Sequence, residues 1–207
     1  MAVDLPTLVA PGRAAVVTSE IQNGVIGEAS AWPALAEVAR TTIPPLARLV
    51  GAARAAGVQV VHCTFHRRPD GRGSNVNARL FAAARRAPVQ QLAGTPDVEV
   101  VPEVGVAPED LVLTRTHGLD PMAGTDLDPV LRNLGVTTVI ATGVSVNVAV
   151  TNLVMDAVNR GYDVVLPRDA VCGVPAAYAD AVIDNTLRLL ATVTTVDELA
   201  AAWKGDG

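Results

Sequence analysis

Aromatic residues are scarce in this chain, with two Phe, two Tyr and two Trp among 207 residues. A core without them must be filled by aliphatic side chains, and Ala and Val carry most of the apolar half of the composition. Cysteine is also rare: Cys63 and Cys172 make neither a metal-type spacing nor a disulfide framework. Both suit a reducing compartment, and no cofactor or metal is expected. Positive charge is in the minority. A formal net charge of -5 argues against nucleic acid as a partner, and the Arg-rich piece from Arg67 to Arg72 reads as a solvated loop. No apolar run reaches the roughly 18 residues of a spanning helix, so no membrane partner is expected. The start, Met1 to Pro6, lacks the basic-then-apolar order of an export signal, and the expected location is cytoplasmic.

What is present is a regular alternation of strand and helix. Its organising stretch runs from Val139 to Leu153: Val139 to Thr142 read as a strand buried on both faces, and Gly143 supplies a turn. Val150, Leu153, Val154, Ala157 and Val158 then fall at helical spacing. Earlier strands are expected at Ala14 to Thr18, Val58 to Cys63 and Asp110 to Thr114, and later ones at Tyr162 to Leu166 and, at an edge, Thr192 to Thr195. Helices are expected over Trp32 to Ala56, interrupted at Pro44 and Pro45, and over Asn77 to Arg86, Asp126 to Leu134, Asn147 to Arg160, Ala176 to Leu190 and Val196 to Trp203. This predicts a single α/β domain over residues 1–207, a three-layer α/β/α sandwich with a central parallel sheet of five or six strands. Ala87 to Pro108 carry apolar pieces without periodicity. They are expected to wrap the surface or reach a partner subunit, which makes a homo-oligomer the expected assembly.

Chemistry is expected at the carboxyl ends of the strands, where helix N-termini and loops open a crevice. Glu20 follows the first strand and suits proton transfer. Cys63 and His66 follow the second. Arg115 follows the third and has two readings: a surface pair with Asp110 or Glu109, or a planar fork for a substrate carboxylate. His117 lies just beyond it. Ser145 and Asn147 follow the fourth strand, and Asp169, after the fifth, reads as a loop brace rather than a reacting group. The cysteines read as buried and inert.

Five pieces in order, Ala15-Val-Val-Thr-Ser-Glu-Ile-Gln-Asn23, Gly124-Thr-Asp-Leu127, Thr142-Gly-Val-Ser-Val-Asn-Val-Ala-Val150, Asp156-Ala-Val-Asn-Arg-Gly-Tyr162 and Arg168-Asp-Ala170, resemble the isochorismatase-like superfamily of cysteine hydrolases. The resemblance spans Ala14 to about Leu199. It implies a Rossmann-like fold and a small-molecule substrate or ligand. Its thiol members use an Asp, a Lys and a Cys; those places fall here on Glu20, on Arg115 or Thr116, and on Ala149. An alanine cannot form a thioester, so the family's amidase mechanism is not expected. The family's cis peptide maps to Val144-Ser145, and no metal cluster is expected around His66. The candidate catalytic positions are thus Glu20, Arg115 and the degenerate Ala149, with Gln22, His117, Val144, Ser145 and Asn147 as candidate substrate-binding residues. Three readings follow: a hydrolase that uses water with Glu20 as acid or base, as the resemblance implies for members that cleave a vinyl ether without the thiol; an inactive relative that binds a small ligand; and a thiol enzyme using a displaced Cys63 or Cys172.

Overall fold

The computed structural model describes residues 4–204. In chain order its elements are α1 (Leu5–Leu8), β1 (Ala14–Ser19), α2 (Asn23–Ile26), α3 (Pro33–Ala39), α4 (Ile43–Ala55), β2 (Gln59–Phe65), α5 (Arg79–Ala84), β3 (Leu111–Arg115), α6 (Leu127–Asn133), β4 (Thr138–Val144), α7 (Thr151–Asn159), β5 (Asp163–Pro167), β6 (Val171–Cys172), α8 (Ala176–Asn185), β7 (Thr192–Thr194) and α9 (Val196–Lys204). The strands form one sheet in the order β3-β2-β1-β4-β5-β7, with the two-residue β6 beside the end of β4, and every strand pairing is parallel. This is the expected sandwich. Its sheet exceeds the expected strand number because β6 is too short to leave a pattern in the sequence.

Period-two alternation along buried strands builds two cores. Ala14 and Val16 of β1 pack with Leu46, Leu49 and Ala53 of α4 and Leu199 of α9. Ala15 and Val17 face the other way, against Leu127 and Leu131 of α6 and Leu153 and Val154 of α7. Cutting one such leucine to alanine typically costs about 2–5 kcal/mol. Pro44 and Pro45 sit in the opening turn of α4, where a missing N–H is harmless, so the expected long helix is two helices. β2 and β4 run two residues past their expected ends. Their last residues are recruited by neighbours, Phe65 by Arg115 and Val144 by Cys172, and not by local apolar pattern.

The strand order reverses between β1 and β4. The chain lays β2 and β3 on one side of β1, then returns to lay β4 and β5 on the other. Loops after β1 and β4 therefore leave in opposite directions and open a crevice between them. Gly143 holds the two strands close there: it has φ +92, and a Cβ on it would lie 2.4 Å from the Ser19 carbonyl oxygen. Only glycine fits.

The aperiodic stretch after Ala87 is packed in part on its own chain. Val101 donates its N–H to the Ile21 carbonyl, Val100 bridges Gln22, and Val100, Val101 and Val104 join the α4-side core. Reaching a partner is not what makes these residues apolar. Among the described residues no helix is long and apolar enough to cross a membrane.

Candidate active site

The crevice at the strand-order reversal deepens into a cavity of about 380 Å³. Glu20 enters it from the end of β1, and Ser145, Asn147, Val148 and Ala149 from the turn after β4. Trp32, Leu35, Phe65, Leu80, Phe81, Leu119 and Val174 make most of the wall. Both Phe residues and one of the two Trp thus surround this space, an otherwise rare residue type concentrated at one place. Nothing in the sequence pointed to that wall, because Trp32, Phe65 and Phe81 converge only in the fold.

Glu20 is held at φ +51, a conformation unusual for a residue with a Cβ, and its N–H donates to the Cys63 carbonyl. Its carboxylate accepts from Nη2 of Arg115 in an ion pair. Arg115 lies behind Glu20 and not in the cavity wall: its guanidinium also stands 5.5 Å over the Phe65 ring, and its side chain is 4% exposed. The expected surface pair of Arg115 with Asp110 or Glu109 is not formed. Asp110 is taken instead by Arg54, at 2.5 Å, and Glu109 makes no ion pair among the described residues. Nε and Nη1 of Arg115 are buried without a hydrogen-bond partner.

The β4 turn opens with the cis peptide Val144–Ser145 and a single widened turn over Val146–Val150, after which α7 is regular. Ala149 lines the cavity and is 4% exposed. Asn147 donates to the Val174 carbonyl at 3.3 Å, while its Oδ1 is buried and unpartnered. Gly173 exists for Asn147: a Cβ there would lie 2.6 Å from that Oδ1. Its smallness makes room for a side chain of the protein and not for a ligand.

The remaining candidates lie elsewhere. Gln22 is fully buried, donating to the Phe65 and Val98 carbonyls and accepting from the Phe65 N–H, so its amide is spent on bracketing β2 against the 96–100 loop. His117 is exposed in a groove with Thr125 and Asp126, beside Gly124. Val144 points into the α4-side core. Asp169 accepts from the Val196 N–H and so braces the start of α9. Cys63 and Cys172 are buried off the cavity; burial pushes the Cys63 thiol up to about 12 and raises Cys172 as well. Neither is an available thiolate. Arg67 and Gln91 line the cavity too: Arg67, expected in a solvated loop, is instead largely buried because the cavity wall closes over it, and the sequence offered no pointer to Gln91.

Residues 14–198 match the isochorismatase domain. The chain belongs to the isochorismatase family. Relatives include ureidoacrylate amidohydrolase RutB of Rhizobium rhizogenes, 27% identical over 95% of this chain and 85% of the relative, and that of Methylorubrum extorquens, 31% identical over 79% and 71%. Among solved structures, a cysteine hydrolase from Pseudomonas syringae pv. phaseolicola superposes with a TM-score of 0.83 at 26% identity, covering 95% of both chains. An N-carbamoylsarcosine amidase from Thermoplasma acidophilum gives 0.73 at 25% identity, covering 89% of this chain and 97% of that one. The single Lys of this chain, Lys204, ends α9, far along the chain from Arg115 and Thr116.

Proposed function

We propose that this isochorismatase-family protein is a hydrolase of a small molecule that dispenses with a protein nucleophile. Glu20, as the carboxylate of its ion pair with Arg115, takes a proton from a water whose oxygen bonds to the substrate carbonyl carbon. The proton then passes to the leaving nitrogen as the carbon–nitrogen bond breaks. The observation that carries this reading is that Glu20 and Ala149 line one mostly apolar cavity, so an acid–base group faces the position where the family's thiol would stand. The names of the relatives, ureidoacrylate amidohydrolase and N-carbamoylsarcosine amidase, support amide or carbamoyl bonds as the first to try.

The second reading, a ligand-binding relative without turnover, is favoured by Ala149 itself, which leaves the family's covalent route without a nucleophile. In either reading the protein is a homo-oligomer. What supports that is the edge strand β3, with Val112 and nearby Val106 open to solvent.

The test is turnover across small amides, carbamoyl compounds and vinyl ethers, for the wild type and Glu20→Gln. The hydrolase reading expects turnover that falls on the order of 100-fold or more in the variant. Binding of these compounds without turnover selects the second reading.

A further inference from the structure

Among the described residues, two without glycine's freedom adopt a positive φ: Glu20 at +51 and Gln91 at +49. Both line the same cavity. A left-handed conformation at a residue with a Cβ persists only where its surroundings enforce it, and such residues gather at functional sites. Glu20 has its proposed role. Gln91 has none.

Gln91 is 7% exposed, and its Nε2 is buried with no hydrogen-bond acceptor. A desolvated amide donor left unsatisfied is a standing cost to the fold, of a kind that native proteins rarely carry without a use. The side chain is locked in place: its Cγ lies 3.0 Å from where a Cβ on Gly24 would be, so Gly24 is what lets it pack against α2. Its backbone is locked as well, since the Gln91 carbonyl accepts from the Arg67 N–H at 2.8 Å.

Arg67 is a second donor beside it, with hydrogen-bonding capacity to spare. It is 8% exposed and lines the same cavity, yet its one side-chain hydrogen bond is from Nη1 to the neutral Oε1 of Gln90, at 3.3 Å. It makes no ion pair among the described residues, although a largely buried guanidinium ordinarily finds a carboxylate. Burial, with Arg85 nearby, lowers its hold on its proton. A buried amide donor and a largely buried cation without a counter-ion, adjacent on one wall, together match one chemical group: a carboxylate.

We propose that Gln91 and Arg67 are specificity-determining residues that hold a carboxylate of the ligand, so that the cavity takes small organic acids in preference to their neutral counterparts. The inference rests on the reading of this cavity as the substrate site, and needs only its ligand-binding part. Glu20 then faces the bond to be broken while Gln91 and Arg67 hold the acid group.

Calorimetric titration of acetate through hexanoate, and of N-carbamoyl-β-alanine, each against its primary amide, tests this on the wild type and on Gln91→Leu and Arg67→Gln. The expected result is that at least one acid binds about tenfold or more tightly than its amide, the scale of one charge-assisted hydrogen bond. That ratio falls toward one in each variant. Gln91→Leu should also keep or gain thermal stability, because it removes an unsatisfied donor, a response that a structural role for Gln91 would reverse. If no acid in the series is preferred over its amide, or if the preference survives Gln91→Leu, the proposal is wrong. Should Arg67→Gln not fold, the wild-type ratio and Gln91→Leu decide alone. Acid preference without turnover of any amide removes the hydrolase reading and leaves this one standing.

Discussion

Arg115, at the end of β3, reaches across β2 to Glu20 at the end of β1, with the Phe65 ring of β2 beneath its guanidinium. The pair is partly wet on one side only: the Arg115 side chain is 4% exposed and that of Glu20 23%. Arg115→Leu strands Glu20 but leaves it some water. The expected loss is about 1–3 kcal/mol, below that of a fully buried pair. Urea unfolding of Arg115→Leu, Glu20→Gln and the double variant measures it, and a double variant no worse than either single change is the expected signature of coupling.

Ala149→Cys should not by itself create a strong amidase. The new thiol would stand near a carboxylate and lack the family's lysine, so nothing holds it as a thiolate or stabilises an oxyanion. Thiol labelling and amide turnover in the variant are the measurements, and efficient hydrolysis with Arg115 unchanged contradicts the expectation.

Iodoacetamide should leave the native protein unmodified and any activity intact. Cys63 and Cys172 are buried, and burial has raised both thiols, Cys63 to about 12. Mass spectrometry should find both cysteines alkylated only after denaturation; thiol-dependent activity would bring a displaced cysteine back as nucleophile.

Stability should decline in mild acid. His62 is fully buried, with Nδ1 2.9 Å from Thr18 Oγ1 and Nε2 3.3 Å from Asp110 Oδ2. Burial pushes its pKa below the ordinary 6.5, with the Asp110 charge opposing in part. The unfolded chain therefore takes up a proton first as pH falls, so the contribution is present above about pH 6.5 and is lost below it. Asp110 acts with the same sign at lower pH: burial opposes, but the Arg54 and Ala107 hydrogen bonds hold its pKa below the ordinary value. Urea midpoints should drop between about pH 7.5 and about pH 5.5, and the drop should shrink in His62→Gln.

Light scattering at micromolar concentration should give more than one chain per particle. Ser or Lys at Val112, on the exposed face of β3, should shift the mass downward if that edge is the contact.

Fold and site were legible in the sequence to different depths. Ala14 to Thr18 and Val139 to Thr142 announce buried strands because a parallel sheet covered on both faces needs continuous apolar runs. The order of strands and helices followed from them, and with it the crevice at the ends of β1 and β4, where Glu20, Ser145, Asn147 and Ala149 stand. These are local matters, written in adjacent residues.

Contacts between distant residues were decided only by tertiary structure. Nothing adjacent to Arg115 in the chain says that its fork is spent on Glu20, or that Asp110 belongs to Arg54. Gln22 looks like a binding residue beside Glu20 until Phe65 and Val98 are seen to consume its amide. Val100 and Val101 look unpartnered until Ile21 and Gln22 pair with them. Gln91 and Arg67 lie outside any periodic element, so neither pattern nor propensity marks them. Periodicity records which face of an element is buried; it carries no record of which partner a buried polar group has, and at this site the partners, present or missing, set the chemistry.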